Sequence, residues 1–412
     1  MSDTNIQTNA SRKPRLYYLD TIKFFACLII FWTHFTGIFW TLRDVPPADF
    51  HPKLLRLFFP PFTLLSDSAL ALFIFFMISG YLASKKSIRT LQDLLYACIS
   101  RYVRFVIPFF FINLLCFILY YRVGFRNYEA SVALQNSWLR GYYTSPPGLW
   151  TLFSSTLLLN GDLNGPLWMM RYMYGGTILI FLYRYIGNRI REASAKDATA
   201  PVRKSFPVSP CTLYEILIFA ACLVALLRTA HDNNFHLVVA FLGVYLDRME
   251  QWMIKQKRFS ELVWFLLALL PIWLESGGLQ NTVASFMQHH VPELFPYFIW
   301  NNYWCVAFGF SFLLFSAKSQ WIKTIFSQAP FRRLAPLNFS IYMIHWPLLC
   351  TYTLSFFIYF ALKLSYSKIF MAAATTTFLL LLPLAAVYHR TVEAGSEALA
   401  QKLDTEIQKI LK

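Results

Sequence analysis

The sequence predicts an all-α integral membrane protein with about ten transmembrane helices and both termini cytoplasmic. Composition is the first observation: 57% of the 412 residues are hydrophobic and only 14% are charged, against roughly 25% charged in an ordinary soluble domain. Mean hydropathy is correspondingly high, at +0.45. Apolar runs then recur along the whole chain, several of them reaching the roughly 20 residues that a helix needs to cross a bilayer.

The first run, 16–40, is long, has no small-residue cleavage site and contains His34, so it reads as a retained anchor rather than a cleaved signal. Runs at 67–84 and 103–121 follow. The next, 167–186, is polar for a span; after it come 212–229, a short run at 235–248, and then 260–275, 297–317, 337–361 and 369–389. These runs leave no room for a separate soluble domain: 1–15 reads as an N-terminal tail, 16–390 as the membrane domain and 391–412 as a C-terminal tail. The segment REASAKDATAPVRKS (191–205) reads as a solvated linker, and no internal repeat is evident.

Charge orients the bundle. With an even number of spans, one side collects 26 of the 37 Lys and Arg, including Arg12, Arg101, Arg104, the stretch from Arg184 to Lys204 and the C-terminal tail. Nine fall on the other side, and Lys23 and Arg171 remain within spans. Basic residues favour cytoplasmic loops, which puts both termini inside the cell. The net charge of +16 therefore reads as topology and not as nucleic-acid binding. Trp and Tyr near run ends, such as Tyr17, Tyr18, Trp300 and Trp304, suit interfacial anchoring. The seven cysteines show neither metal-ligand spacing nor a paired framework and read as reduced packing residues.

Ionisable groups inside spans are costly and mark candidate sites: Lys23, His34, Arg171 and His345. Lys23 and His34 are eleven residues apart, which at about 100° per residue leaves them within roughly 20° on one helix face and about 16 Å apart along the axis. The pair thus faces one groove at two depths, Lys23 toward the cytoplasm and His34 toward the outer half. A cation at the cytoplasmic mouth can hold phosphate while a deeper histidine takes a proton from a hydroxyl. Spacing alone is equally served by Lys23 snorkelling or pairing with Asp20 one turn earlier, and by His34 bonding a neighbouring helix. Arg101 and Arg104, one turn apart, form a dicationic site for phosphates, although topology also explains them. His345 precedes a proline that loosens its helix locally. The outer loops 41–66 and 122–166, rich in Pro, Asn, Gly and aromatics, are expected to shape an acceptor site.

Taken in order, these segments resemble the acyltransferase 3 family of membrane acyltransferases. YLDTIKFFACLIIFWTH (18–34) is similar to the family's first-span signature, with Asp20, Lys23 where many members have arginine, and His34. FFMISGYL (75–82) resembles the second-span motif ending in Ser79 and Gly80, and RYVR (101–104) the Arg-x-x-Arg motif. GPLWMMRY (165–172) is similar to the Leu-Trp segment, with Arg171 at a position that is basic in some members. SIYMIHWPL (340–348) resembles a late-span motif, and VYHRTVE (387–393), with Glu393, the C-terminal ending. Two positions depart from the pattern. Phe73 stands where many members have Asp, and Met173 where many have Glu; Asp67 and Asp162 are weak substitutes as a carboxylate partner for His34.

The resemblance implies transfer of an acyl group, most often acetyl from acetyl-CoA, to a hydroxyl of a surface glycan such as lipopolysaccharide O-antigen or exopolysaccharide. The acceptor would be a glycan or lipid-linked glycan presented at the outer face of a bacterial cytoplasmic (inner) membrane. It implies that Lys23, Arg101 and Arg104 hold the CoA phosphates and that His34 activates the hydroxyl or receives the acyl group. Ser79 and Gly80 would permit close approach of helices or of the pantetheine arm, and Glu393 would tie the cytoplasmic arginines. No metal, nucleic acid or appended hydrolase-like domain is expected, so the chain would act alone or with a partner chain. A transporter or flippase of lipid-linked glycans would also need buried charges and a wide cavity, but no discontinuous or paired helices support it. A catalytically lost scaffold is opposed by the intact Lys23, His34, Arg101 and Arg104.

Overall fold

The computed structural model describes residues 16–39, 68–197, 209–230, 232–255, 261–276, 279–292 and 300–411. Loop 41–66, Asp67 and the tail 1–15 lie outside the described residues. Among those described, every element is helical. In order they are α1 (Tyr17–Phe39), α2 (Ser68–Ser84), α3 (Leu91–Arg122), α4 (Asn127–Ala133), α5 (Ser137–Arg140), α6 (Leu149–Leu157), α7 (Met169–Asp197), α8 (Pro210–Thr229) and α9 (Phe235–Lys255). They continue with α10 (Glu261–Ser276), α11 (Leu279–His290), α12 (Trp300–Lys318), α13 (Gln320–Phe326), α14 (Ala329–Leu334), α15 (Asn338–Leu348), α16 (Leu354–Phe360), α17 (Tyr366–Tyr388) and α18 (Ala394–Leu411).

Among the described residues, helix is found in each of the ten stretches expected to span. By length and composition, five helical segments among the described residues can cross a membrane: Tyr17–Phe39, Leu91–Arg122, Pro210–Thr229, Ala329–Phe360 and Tyr366–Ile410. A sixth is added if Asn302–Lys318 and Gln320–Phe326, bent by 89°, count as one. The chain is thus an all-α, multi-pass membrane protein.

Local sequence sets the boundaries. Helix α3 begins at Leu91, twelve residues ahead of the expected span, because Thr90 and Asp93 close a capping box there; Arg101 and Arg104 consequently sit well inside a helix rather than at its start. Helix α7 runs on to Asp197, so the first residues of the expected linker 191–205 are helical. The segment between Arg122 and Gly165 also has structure of its own, in α4, α5 and α6. Pro347 is followed by a π-helical turn, Leu349–Thr353, and a second one, His389–Glu393, joins α17 to α18. Such wide turns are often found at functional sites.

Helix α1 packs between α2 and α15 and is buried on most sides, with Ile22, Cys27, Ile30, Phe35 and Ile38 among its buried residues. Lipid tails are as apolar as leucine, so packing between helices here rests on close backbone approach. The α2–α9 crossing illustrates it: a Cβ added to Gly80 would stand 1.8 Å from the carbonyl oxygen of Ala240, and one added to Gly243 would stand 2.3 Å from the Tyr81 amide nitrogen. At one end of this crossing Lys85 pairs with Asp247 at 2.9 Å, and the Tyr81 hydroxyl donates to Glu250 at 2.5 Å. All seven cysteines are free thiols, four of them buried.

Candidate active site

Two cavities flank the middle of α1. The larger, about 620 Å³, opens around the N-terminal part of that helix and is lined by Asp20, Lys23, Ser79, Arg101, Arg104 and Glu393. Four separate segments of the chain thus contribute to one cavity. The smaller, about 320 Å³, is lined by His34, Phe73, Trp168, Asp232, His236 and Asn302, among others. Met169 and Tyr342 line both. They form the partition between the two cavities, and Tyr342 is fixed there by donating its hydroxyl proton to the Pro166 carbonyl.

In the larger cavity most charge is already paired. Lys23 Nζ lies 2.7 Å from Asp20, a contact within one helical turn that their spacing also favours. Arg101 donates to Ser79 Oγ at 3.0 Å and stacks its guanidinium over Phe105 at 4.6 Å. Its Nε is buried with no hydrogen-bond partner, and among the described residues Arg101 has no carboxylate partner. Ser79 and Gly80 divide the roles expected of them: Ser79 lines the cavity, whereas Gly80 serves the α2–α9 contact. Glu393 also lines the cavity but does not tie the arginines. Its carboxylate accepts from Ser340 and from His389 at 2.9 Å, while Arg104 is held by Asp404 of α18 at 2.7 Å. Between α2 and α3, burial, and after it the neighbouring Arg104, pulls the Lys86 ammonium below its usual pKa.

In the smaller cavity the key group is neutral in its hydrogen bonding. His34 Nδ1 lies 2.9 Å from His345 Nε2, and His345 Nδ1 lies 3.2 Å from the Ile341 carbonyl. A carbonyl only accepts, so His345 carries its proton on Nδ1 and accepts at Nε2 from His34 Nδ1–H. This assigns the tautomer of His34, leaving its Nε2 with a free lone pair. Among the described residues the partner of His34 is an imidazole and not a carboxylate: Asp162 is exposed and lines neither cavity. The two histidine rings are nearly parallel, and the indoles of Trp138 and Trp346 enclose His34 at 6.1 and 5.9 Å. Trp346 is itself anchored by donating to the Tyr143 hydroxyl at 3.1 Å. Helix α5 thus reaches the histidine through Trp138.

Arg171 differs from the other sequence-selected residues. It sits in the first turn of α7, exposed, bonded to and stacked over Tyr172, and lines neither cavity. It is thus a residue of the helix entrance that the protein itself does not bury. Conversely, the sequence reading missed His236, whose ring lies among Phe73, Phe76, Trp168 and Tyr172 with centroids 5.1–6.2 Å away. It missed Asp404 and His389 as well. Met173 lines the larger cavity and Phe73 the smaller one, so the two departures from the family pattern both fall on cavity walls.

A chamber with cations, a shared partition and a second chamber holding an imidazole lone pair can bind an anionic donor on one side and deprotonate a hydroxyl on the other. Comparison with known proteins points the same way. No curated protein and no solved structure matches the chain, but the family model described as the acyltransferase domain matches residues 16–388, from α1 to the end of α17. The chain belongs to the acyltransferase 3 family.

Proposed function

We propose that the protein is a membrane-embedded O-acyltransferase of the cytoplasmic (inner) membrane of a bacterium, with ten spans and both termini cytoplasmic. It transfers acetyl from acetyl-CoA to a hydroxyl of a cell-surface polysaccharide, such as lipopolysaccharide O-antigen or exopolysaccharide. The observation that carries this reading is the adjacency of two unlike cavities across Met169 and Tyr342. The larger accepts the phosphates of the donor on Arg101, Arg104 and Lys23, and the thioester end extends toward the partition. The smaller receives the acceptor hydroxyl next to His34.

In the reaction, His34 Nε2 takes the hydroxyl proton as the acceptor oxygen attacks the thioester carbonyl. The carbon–sulfur bond then breaks, and the proton passes to the leaving thiolate, giving the ester and free CoA. The same lone pair can instead attack the carbonyl itself and pass the acyl group on; trapping of an acetylated His34 distinguishes this route from direct transfer. His345 acts as a positioning residue in both, since its acceptance from Nδ1–H holds the tautomer with Nε2 free.

The test is transfer of labelled acetyl from acetyl-CoA to the surface polysaccharide by membranes containing the protein, together with mass analysis of polysaccharide from a deletion strain. Loss of base-labile acetyl groups with unchanged polymer supports the reading. Loss of polymer with unchanged acetylation would indicate a flippase instead.

A further inference from the structure

Helix α18 lies beyond the family match, which ends at residue 388, yet it walls the larger cavity. Ser396, Glu397, Ala400 and Gln401 line the chamber, and Asp404, one turn beyond Ala400, closes on Arg104 at 2.7 Å. The helix packs along α3, and this ion pair is its charged link to the cationic Arg-x-x-Arg turn.

The pair is incompletely satisfied. The Asp404 side chain is 8% exposed, and its second carboxylate oxygen, Oδ1, is buried without a hydrogen-bond partner. Burying a carboxylate costs free energy that one ion pair offsets only if its remaining lone pairs are also bonded. The Arg104 side chain, by contrast, is 54% exposed, so the arginine stays reachable from the cavity. Close by, the unpartnered Nε of Arg101 awaits an acceptor. A phosphate group brings greater negative charge and several acceptor oxygens, and so satisfies both guanidiniums better than one half-bonded carboxylate does.

We infer that Asp404 is an internal competitor for the donor's phosphate: it occupies Arg104 in the empty protein and sets donor affinity by having to be displaced. The ligand class is a phosphorylated donor such as a CoA thioester, and the inference rests on the donor assignment made above. Lys23 is also paired, but with Asp20 on its own helix; only the Arg104 pair couples donor binding to the docking of a separate element.

The experiment is CoA binding to the purified full-length protein in detergent or nanodiscs, comparing wild type with Asp404→Asn. Exposed and half-exposed ion pairs are worth up to roughly 1 kcal/mol, which corresponds to about fivefold in affinity. The expected result is CoA binding about fivefold tighter in Asp404→Asn, with no such gain for Glu406→Gln, a solvent-exposed α18 carboxylate paired only with Lys409. Equal or weaker binding by Asp404→Asn, with wild type binding normally, would overturn the inference while leaving the donor site standing. Absence of CoA binding to wild type would overturn the donor assignment and the inference together. Should Asp404→Asn not accumulate as folded protein, hydrogen exchange of the wild type decides: CoA must speed exchange around residues 400–407, and slowed or unchanged exchange refutes the displacement.

Discussion

The two cavities share a wall but handle charge in opposite ways. Around Lys23, Arg101 and Arg104 the protein concentrates full charges and pairs most of them with carboxylates from Asp20 and Asp404, so the chamber is nearly balanced until a ligand exchanges partners. Around His34 it uses a chain of neutral groups, from the Ile341 carbonyl through His345 to His34, that fixes a proton without adding a charge. The difference suits the roles proposed for the two cavities. Holding a polyanion needs charge that can be re-paired, whereas taking a proton in a low-dielectric site needs a base that stays uncharged at rest. One helix supplies both because eleven residues return to the same face.

The sharpest break between the two is His34→Ala. It should lower transfer by about 10²–10⁴-fold, the usual worth of a positioned base, while CoA binding in the larger cavity stays at the wild-type value. Steady-state transfer of labelled acetyl, paired with equilibrium CoA binding, measures the two separately. A His34→Ala protein that transfers at full rate would sink the mechanism.

A smaller loss, about 10- to 100-fold in rate, is expected for His345→Ala, as for partners that orient a working imidazole. The discriminating comparison is His345→Gln, whose side-chain carbonyl can still accept from His34 Nδ1–H. Partial recovery in the glutamine variant indicates tautomer control, whereas equal loss in both variants would reduce His345 to packing.

In the other chamber, Arg101→Ala should act on binding and leave the chemical step alone. Hydrogen bonds to charged groups are worth roughly 1.5–3 kcal/mol, so KM for acetyl-CoA should rise about tenfold or more, with kcat nearly unchanged. Arg101→Lys should recover only part of this, because an ammonium lacks the planar fork. A fall in kcat with unchanged KM would erase the proposed division of labour.

What the sequence made legible follows from which signals are local. Helical periodicity placed Lys23 and His34 on one face, and the cluster of RYVR marked Arg101 and Arg104, because both are properties of a single helix. His236 and Asp404 carry no such signal: each stands in a polar stretch of sequence and reaches a cavity wall or its cation only through tertiary packing. His389 lies within the VYHRTVE motif, but its place beside Glu393 depends on the π-helical turn. Glu393 was read as the arginines' partner because it is the acidic residue of the terminal motif; the π-helical turn carrying it bonds it to Ser340 and His389, and Asp404, three turns further along, reaches Arg104 instead. The fold was similarly legible where apolar runs are long. It was less so at α4–α6, whose short helices lack the length for a periodic pattern.

Arg171 supplies the smallest expected effect and the cleanest control. Its selection rests on the cost of burying charge within a span, but the protein does not bury the side chain, which lies over Tyr172 at the first turn of α7. The interaction is a single exposed cation–π contact, worth about 0.5–1 kcal/mol, and it reaches neither chamber. Arg171→Ala should therefore change kcat and CoA affinity by less than about twofold. Because the family resemblance alone would rank Arg171 beside Lys23, a large loss in this variant would mean that the acceptor approaches along the exposed face of α7, past Tyr172 and Trp168, before it reaches His34.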